Sequence, residues 1–143
     1  MSMDPSQPPA DQLDWGPALS WLPALAAADF EPGHVSGGEP VEPGMLNWPH
    51  ITLAPQARAF IACLHDTQVI ADADWSSWLE RGGRALFDDP EVLARATLEQ
   101  CRMLLIAHVR ADRFTDGHLL SILHDGHLVA ILTRIRELVD PKR

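Results

Sequence analysis

The chain has 143 residues, and 46% of them are hydrophobic, which is enough for one folded domain with its own core. Residues 1–57 carry seven acidic and no basic residues (−7), and residues 58–143 carry thirteen acidic and eleven basic residues (−2), which gives the net charge of −9. An acidic chain repels a phosphate backbone, so we expect no general nucleic-acid binding, and no segment has the ~18 apolar residues that a membrane span needs.

The first twelve residues, MSMDPSQPPADQ, contain three prolines and few apolar side chains, so we expect a disordered tail over 1–12. This stretch lacks the basic start and apolar segment of an export signal, and we interpret the protein as cytoplasmic. A single helical domain is predicted over 13–143. It opens with a helix in which Pro23 should cause a bend or a break. The apolar face of this helix is predicted to hold Trp15, Leu19, Leu22 and Leu25.

The middle of the chain alternates loop, strand and helix signals. Residues 31–49 are rich in proline and glycine, which predicts an extended loop. HITL (50–53) and QVIA (68–71) fit two short strands, which could pair around a helix that starts at Pro55. Cys63 on that helix and Cys101 later in the chain form no CxxC motif, so we expect reduced, buried thiols.

Helix caps are readable from residue 74 onward. Asp74 should cap a helix that the glycine pair at 82–83 weakens, and Asp89 should cap a short helix that begins with Pro90. Thr97 and Gln100 fit a capping box for a long helix over 98–112, which we expect to be the most buried.

Two further helices follow, 117–125 and 127–139, with Asp116 as the cap of the first and Gly126 as the glycine that ends it. The predicted fold class is therefore mainly α, a compact irregular bundle of six to seven short helices with room for one tiny two-stranded element.

Three motifs give the chain a family resemblance. They are DADWSSW (72–78), DDPEVLARATLEQCRMLLIAHVRADRF (88–114) and GHLLSILHDGHLVAILTRIREL (117–138). Over residues 48–138 the chain resembles a family of small bacterial proteins, the domain of unknown function 6508. The resemblance implies a compact, mostly helical bacterial domain, and it implies no activity, cofactor or catalytic residue.

The strongest site candidate is the corner between the 98–112 and 117–125 helices. Two guanidinium groups and an imidazole there could hold an anion, because arginine binds carboxylate or phosphate through paired hydrogen bonds. The structural alternative is that the arginines interact favourably with the dipole at the C-terminus of the first helix, and that Asp112 pairs with one of them. The predicted ligand-binding residues are Arg110, Asp112, Arg113 and His118.

Two other constellations are open alternatives. His108, Asp112 and His118 could form a three-ligand metal site, since the first two are four residues apart on one helix. Asp72 and Asp74 stand beside tryptophans, as in a glycosidase cleft, although Asp74 has an adequate role as a cap.

The chain contains no GxSxG, SxxK or P-loop motif. We therefore expect no catalytic residue and no cofactor, and the leading hypothesis is an accessory or regulatory protein that acts by protein–protein contact, with a protein partner or a homodimer. The alternatives are a ligand-binding or hydrolytic protein with its site at the Arg110–His118 corner, and a metal-binding protein.

Overall fold

The structure is a computed structural model, and it describes residues 8–36, 40–42, 45–46, 50–112 and 117–139. Within this part of the chain the fold is mainly α, as the sequence predicts. The helices are α1 (Gly16–Leu19), α2 (Leu22–Ala26), α3 (Pro55–Asp66), α4 (Trp75–Trp78), α5 (Arg84–Asp88), α6 (Pro90–Leu93), α7 (Leu98–Ala111), α8 (His118–His124) and α9 (His127–Val139). A 3-10 turn (Ala10–Gln12) precedes α1. A kinked segment (Leu79–Gly83), in which Arg81 and Gly82 have non-helical dihedral angles, joins α4 to α5.

Among the described residues, four short strands form two antiparallel pairs: β1 (Gly33–Ser36) with β4 (His50–Leu53), and β2 (Pro40–Glu42) with β3 (Met45–Leu46). The predicted strand HITL is confirmed as β4. The predicted strand QVIA is wrong, and residues 31–49 are not simply a loop, because the partner of β4 comes from within them. Gly33 permits this pairing, since a Cβ there would lie 2.2 Å from the carbonyl oxygen of Thr52.

The core is built around α7. Every residue from Cys101 to His108 is buried, which confirms the prediction that the 98–112 helix is the most buried helix. The helix packs against α4, α8, α9 and the 3-10 turn, so it is covered on all sides over two turns. Its capping box is present: Thr97 accepts from the Gln100 N–H at 3.1 Å, and Gln100 accepts from the Thr97 N–H at 2.9 Å. Burial of each leucine here stabilises the folded state by roughly 1.5–3 kcal/mol relative to leaving the side chain exposed.

Arg102 is fully buried in this helix, which no pattern in the sequence indicates. Its guanidinium donates to the carbonyl oxygens of Val69 (3.0 Å), Gln68 (2.8 Å) and Pro8 (2.7 Å). Gln68 has a positive φ of 66°, so the chain at 68–71 turns its carbonyl groups toward the guanidinium instead of forming a ladder. This arrangement explains why QVIA is not a strand.

The N-terminal prediction needs correction for residues 8–12. The 3-10 turn places Ala10 in the core, and the Ala10 N–H donates to Glu99 at 3.3 Å. The Trp15 indole donates to the Ala10 carbonyl at 2.9 Å. The expected disordered tail therefore does not include these five residues, and 1–7 lie outside the described residues.

Proline and glycine break the helices where the sequence predicts. The chain around Pro23 forms two short helices, α1 and α2, and Gly82 (φ 116°) interrupts the helix between Trp75 and Asp88. Asp89 accepts the Glu91 N–H at 2.9 Å and caps α6 as predicted.

Candidate functional site

Three histidines meet where α7, α8 and α9 come together. Nδ1 of His108 lies 2.8 Å from Nε2 of His118, and Nε2 of His108 lies 3.0 Å from Nε2 of His127. His108 is 2% exposed, whereas His118 and His127 are half-buried. Phe87 from α5 covers the group: its ring stacks on His127 (centroids 4.8 Å apart, 28° between planes) and meets the edge of His108 (4.9 Å, 62°). We call His108, His118 and His127 the histidine trio.

The local backbone explains why two of these imidazoles come together. His118 and His127 are each the first residue of a helix, and each follows a glycine with positive φ, Gly117 (83°) and Gly126 (86°). A carboxylate accepts a backbone N–H at the start of each helix: Asp112 accepts the Leu119 N–H at 3.0 Å, and Asp125 accepts the His127 N–H at 2.9 Å. These hydrogen bonds fix the two helix starts from which both side chains reach His108.

The trio is a hydrogen-bonded chain rather than a set of ligands around one point. His108 uses opposite ring nitrogens for its two neighbours, so its lone pairs cannot converge with both of theirs on a single ion. Asp112, the third member of the predicted metal site, is engaged in capping α8. Among the described residues no group of three or more His, Cys, Asp or Glu side chains could hold a metal ion.

Burial keeps the trio neutral. It lowers the pKa of His108 to about 3, with the neighbouring His127 and His118 adding to the effect. Burial also lowers the pKa of His118 and of His127, while Asp112 and Asp125 oppose this for His118 and Asp125 opposes it for His127. At neutral pH each ring therefore carries one N–H and one lone pair.

A pocket of about 310 Å³ opens beside the trio, between α4–α5 and α7–α8. Among the described residues, its lining includes two aromatic rings, two imidazoles and one guanidinium. Its lining residues are Trp75, Leu79, Arg84, Phe87, Ala107, His108, Ala111 and His118. Arg84 is exposed, and its guanidinium has no hydrogen-bond or ion-pair partner in the part of the chain that the structure describes.

Of the four predicted ligand-binding residues, the three that the structure describes do not form one site. His118 lines the pocket, Arg110 forms an ion pair with Asp72 at 3.8 Å, and Asp112 caps α8. Arg113 lies outside the described residues, as does the predicted cap Asp116. Arg110 and Asp112 are not among the residues that line the pocket with His118.

Arg84 and Phe87 are pocket residues that no sequence pattern singled out. Both belong to a short helix whose orientation depends on the kink at Gly82, and no local pattern encodes it. The partnership of His118 with His127 did have a signal, the repeated Gly-His at 117–118 and 126–127.

The other candidates have structural roles. Asp74 accepts the Ser77 N–H at 3.3 Å as the cap of α4, and hydrogen bonding from Ser77 lowers the pKa of its carboxyl group. Cys63 and Cys101 are free thiols, but the expectation that both are buried is wrong for Cys63, which is partly exposed. Burial of Cys101 raises its pKa to about 11 and makes the nucleophilic thiolate scarce. Within the described residues, none of the helices has the length and apolar character that spanning a bilayer requires.

Comparison with known proteins identifies one family for this chain. The chain belongs to a family of unknown function, DUF6508, whose profile matches residues 10–141. The match confirms the resemblance and extends it well before residue 48, to the 3-10 turn that packs on α7. Searches of the curated proteins and of the solved structures found no match.

Proposed function

We propose that this protein binds a small organic anion with a flat apolar body in the pocket beside the histidine trio. The observation that carries the proposal is the combination of surfaces within one cleft: two aromatic rings, neutral imidazoles and an arginine with no partner among the described residues. Ligand pockets in proteins share this character, mostly apolar walls with a few polar groups that fix orientation.

The dimensions suit a ligand of modest size. A volume of about 310 Å³ lies at the small end of ligand pockets, which start at about 300 Å³. Trp75 and Phe87 would contact the apolar body. The Arg84 guanidinium would bind a carboxylate or phosphate group through paired hydrogen bonds. Arg113, which the sequence pattern assigned to an anion site, remains a predicted second cation.

Binding is favoured over catalysis by the pocket lining. The eight described side chains that line it include no serine, cysteine, threonine or lysine nucleophile and no carboxylate. General acid–base chemistry would have to rely on imidazoles alone. This lining supports a protein that recognises a molecule without transforming it.

Replacing Arg84 tests this proposal. Aromatic carboxylates and aryl phosphates are titrated into the protein by calorimetry, and for those that bind, Arg84→Gln should weaken affinity about tenfold, the ~1.4 kcal/mol expected of a charge-assisted hydrogen bond. Arg95→Gln, which removes an exposed arginine outside the pocket lining, is the matched control and should leave affinity unchanged. Equal affinity in the two variants, or no binding by any of the anions, would contradict the proposal.

A second candidate function is homodimerisation, which a different surface favours. An open groove of about 710 Å³ runs between α1 and α9. Its apolar residues include Leu19 and Val139, and Val139 is 40% exposed. Arg136 lies in the same groove as Asp11 and Asp14, so two copies related by a twofold axis could pair opposite charges across an apolar centre.

Light scattering across a range of protein concentrations tests the dimer. The wild-type chain should show a concentration-dependent dimer, and Val139→Asp should shift it to monomer. Ala130→Asp, on an exposed position of the same helix outside the groove, should have no effect. A wild-type chain that stays monomeric at every concentration would exclude this surface as a dimer interface.

A further inference from the structure

The histidine trio connects two places on the protein. His127 stands at the start of α9, His118 lines the pocket, and buried His108 contacts both. We propose that His127, His108 and His118 form a proton relay between the solvent-facing end of α9 and the pocket. The relay does not depend on the identity of the ligand, and it holds or fails independently of the proposed function.

The geometry of His108 is what a relay requires. Imidazole can accept a proton on one ring nitrogen and release another from the opposite nitrogen, and His108 uses one nitrogen for each neighbour. The two N–N distances, 2.8 and 3.0 Å, are those of direct hydrogen bonds. No intervening water is needed at either contact.

One proton can pass from His127 through His108 to His118 in a sequence of balanced transfers. In the starting state His127 carries its proton on Nε2, and His108 and His118 carry theirs on Nδ1. A proton from water binds Nδ1 of His127; the Nε2–H bond of His127 breaks as its proton passes to Nε2 of His108. The Nδ1–H bond of His108 then breaks as its proton passes to Nε2 of His118. Finally Nδ1 of His118 releases its proton to water or to a basic group in the pocket. Each ring is again neutral, now as the opposite tautomer.

The surroundings keep the resting chain uncharged and let a proton enter at its ends. His108 is 2% exposed, and Phe87 packs against it from α5. Asp125, between α8 and α9, faces His127 and His118, and Asp112, after α7, faces His118, so both ends attract a proton. Arg84 on α5 is the charged residue that lines the pocket among the described residues. The lowered pKa values of all three rings agree with a neutral resting chain.

The test replaces His127 with side chains that have only one hydrogen-bonding role. The ammonium group introduced by His127→Lys can only donate, so Nε2 of His108 must accept, and His118 should carry its proton on Nδ1. The carboxylate introduced by His127→Glu can only accept, so His108 must donate from Nε2, and His118 should carry its proton on Nε2. Nitrogen-15 spectra of the imidazoles in the full chain report these tautomers directly.

The matched control is the same pair of substitutions at His124, an exposed residue of α8 outside the trio, which should leave the tautomer of His118 unchanged. The same His118 tautomer in His127→Lys and His127→Glu, with the amide spectrum intact, would overturn the relay. If either variant unfolds, the wild-type chain is measured instead. Scalar coupling across both N–H···N hydrogen bonds of the trio supports the relay, and the absence of coupling across either one overturns it.

Discussion

His108 and Arg102 show how a single polar side chain can be accommodated in a helical core. Arg102 is buried because three carbonyl oxygens accept its N–H groups, and His108 is buried because two other imidazoles complete its hydrogen bonds. A buried polar group without such partners would cost several kcal/mol. The helical pattern places His108 on the buried stripe but gives no sign of Arg102, because the carbonyl groups that satisfy it come from residues 33 and more positions away.

The buried imidazole predicts how stability depends on pH. The pKa of His108 is about 3 in the folded protein, against about 6.5 for an ordinary histidine. Between these values the unfolded chain binds a proton that the folded chain does not, so the free energy of unfolding should fall as pH decreases from 6.5 toward 3. The slope from this residue is about 1.4 kcal/mol per pH unit, and the lowered pKa values of His118 and His127 add the same sign.

Urea denaturation between pH 4.5 and 7.5 measures this slope. His108→Gln should show a shallower dependence on pH than the wild-type chain, and His65→Gln, at an exposed position on α3, should keep the wild-type slope. Parallel curves for the wild type and His108→Gln would show that His108 is protonated in the folded protein as readily as in the unfolded chain.

The sequence predicts the helix caps, but it does not predict which strands pair. Asp74, Asp89 and Thr97 were identified as caps because a cap depends on only three or four consecutive residues. The pairing of β1 with β4 was missed because it joins segments separated by residues 37–49. Asp112 was predicted as a site residue but not as a cap. In the structure it caps α8, the helix that carries His118.

The Asp112 cap can be tested by mutation. Asp112→Ala removes the acceptor of the Leu119 N–H and should lower the free energy of unfolding by about 1 kcal/mol, as loss of a helix cap does. Asp112→Asn keeps an oxygen acceptor and should cost only a few tenths of this. Chemical denaturation compares the two, with Asp66→Ala at an exposed position as the control. An Asn variant as unstable as the Ala variant would mean that charge, rather than the hydrogen bond, is what matters.

The sequence predicted the class of fold and the central helix, and two of its candidate site residues, His108 and His118, line the pocket. Periodicity and caps determine where helices lie along the chain, but they do not determine how helices cross. Phe87 reaches the histidine trio, and Arg84 reaches the pocket beside it, because the chain turns at Gly82. Residues 8–12 pack on the core through contacts with Arg102, Glu99 and Trp15. The pocket is thus a product of tertiary packing, and its residues come from three separate stretches of sequence.

The most direct test of the binding site is to follow the amide and side-chain signals of the protein by NMR while aromatic carboxylates and aryl phosphates are added. Binding in the pocket predicts that the Trp75 indole, the Phe87 ring and the His118 imidazole shift together, with one dissociation constant, while signals from Leu19 and Val139 in the α1–α9 groove stay constant. Shifts confined to the groove, or no shift at Trp75, Phe87 and His118 with any of these anions, would contradict the assignment of this pocket as the functional site.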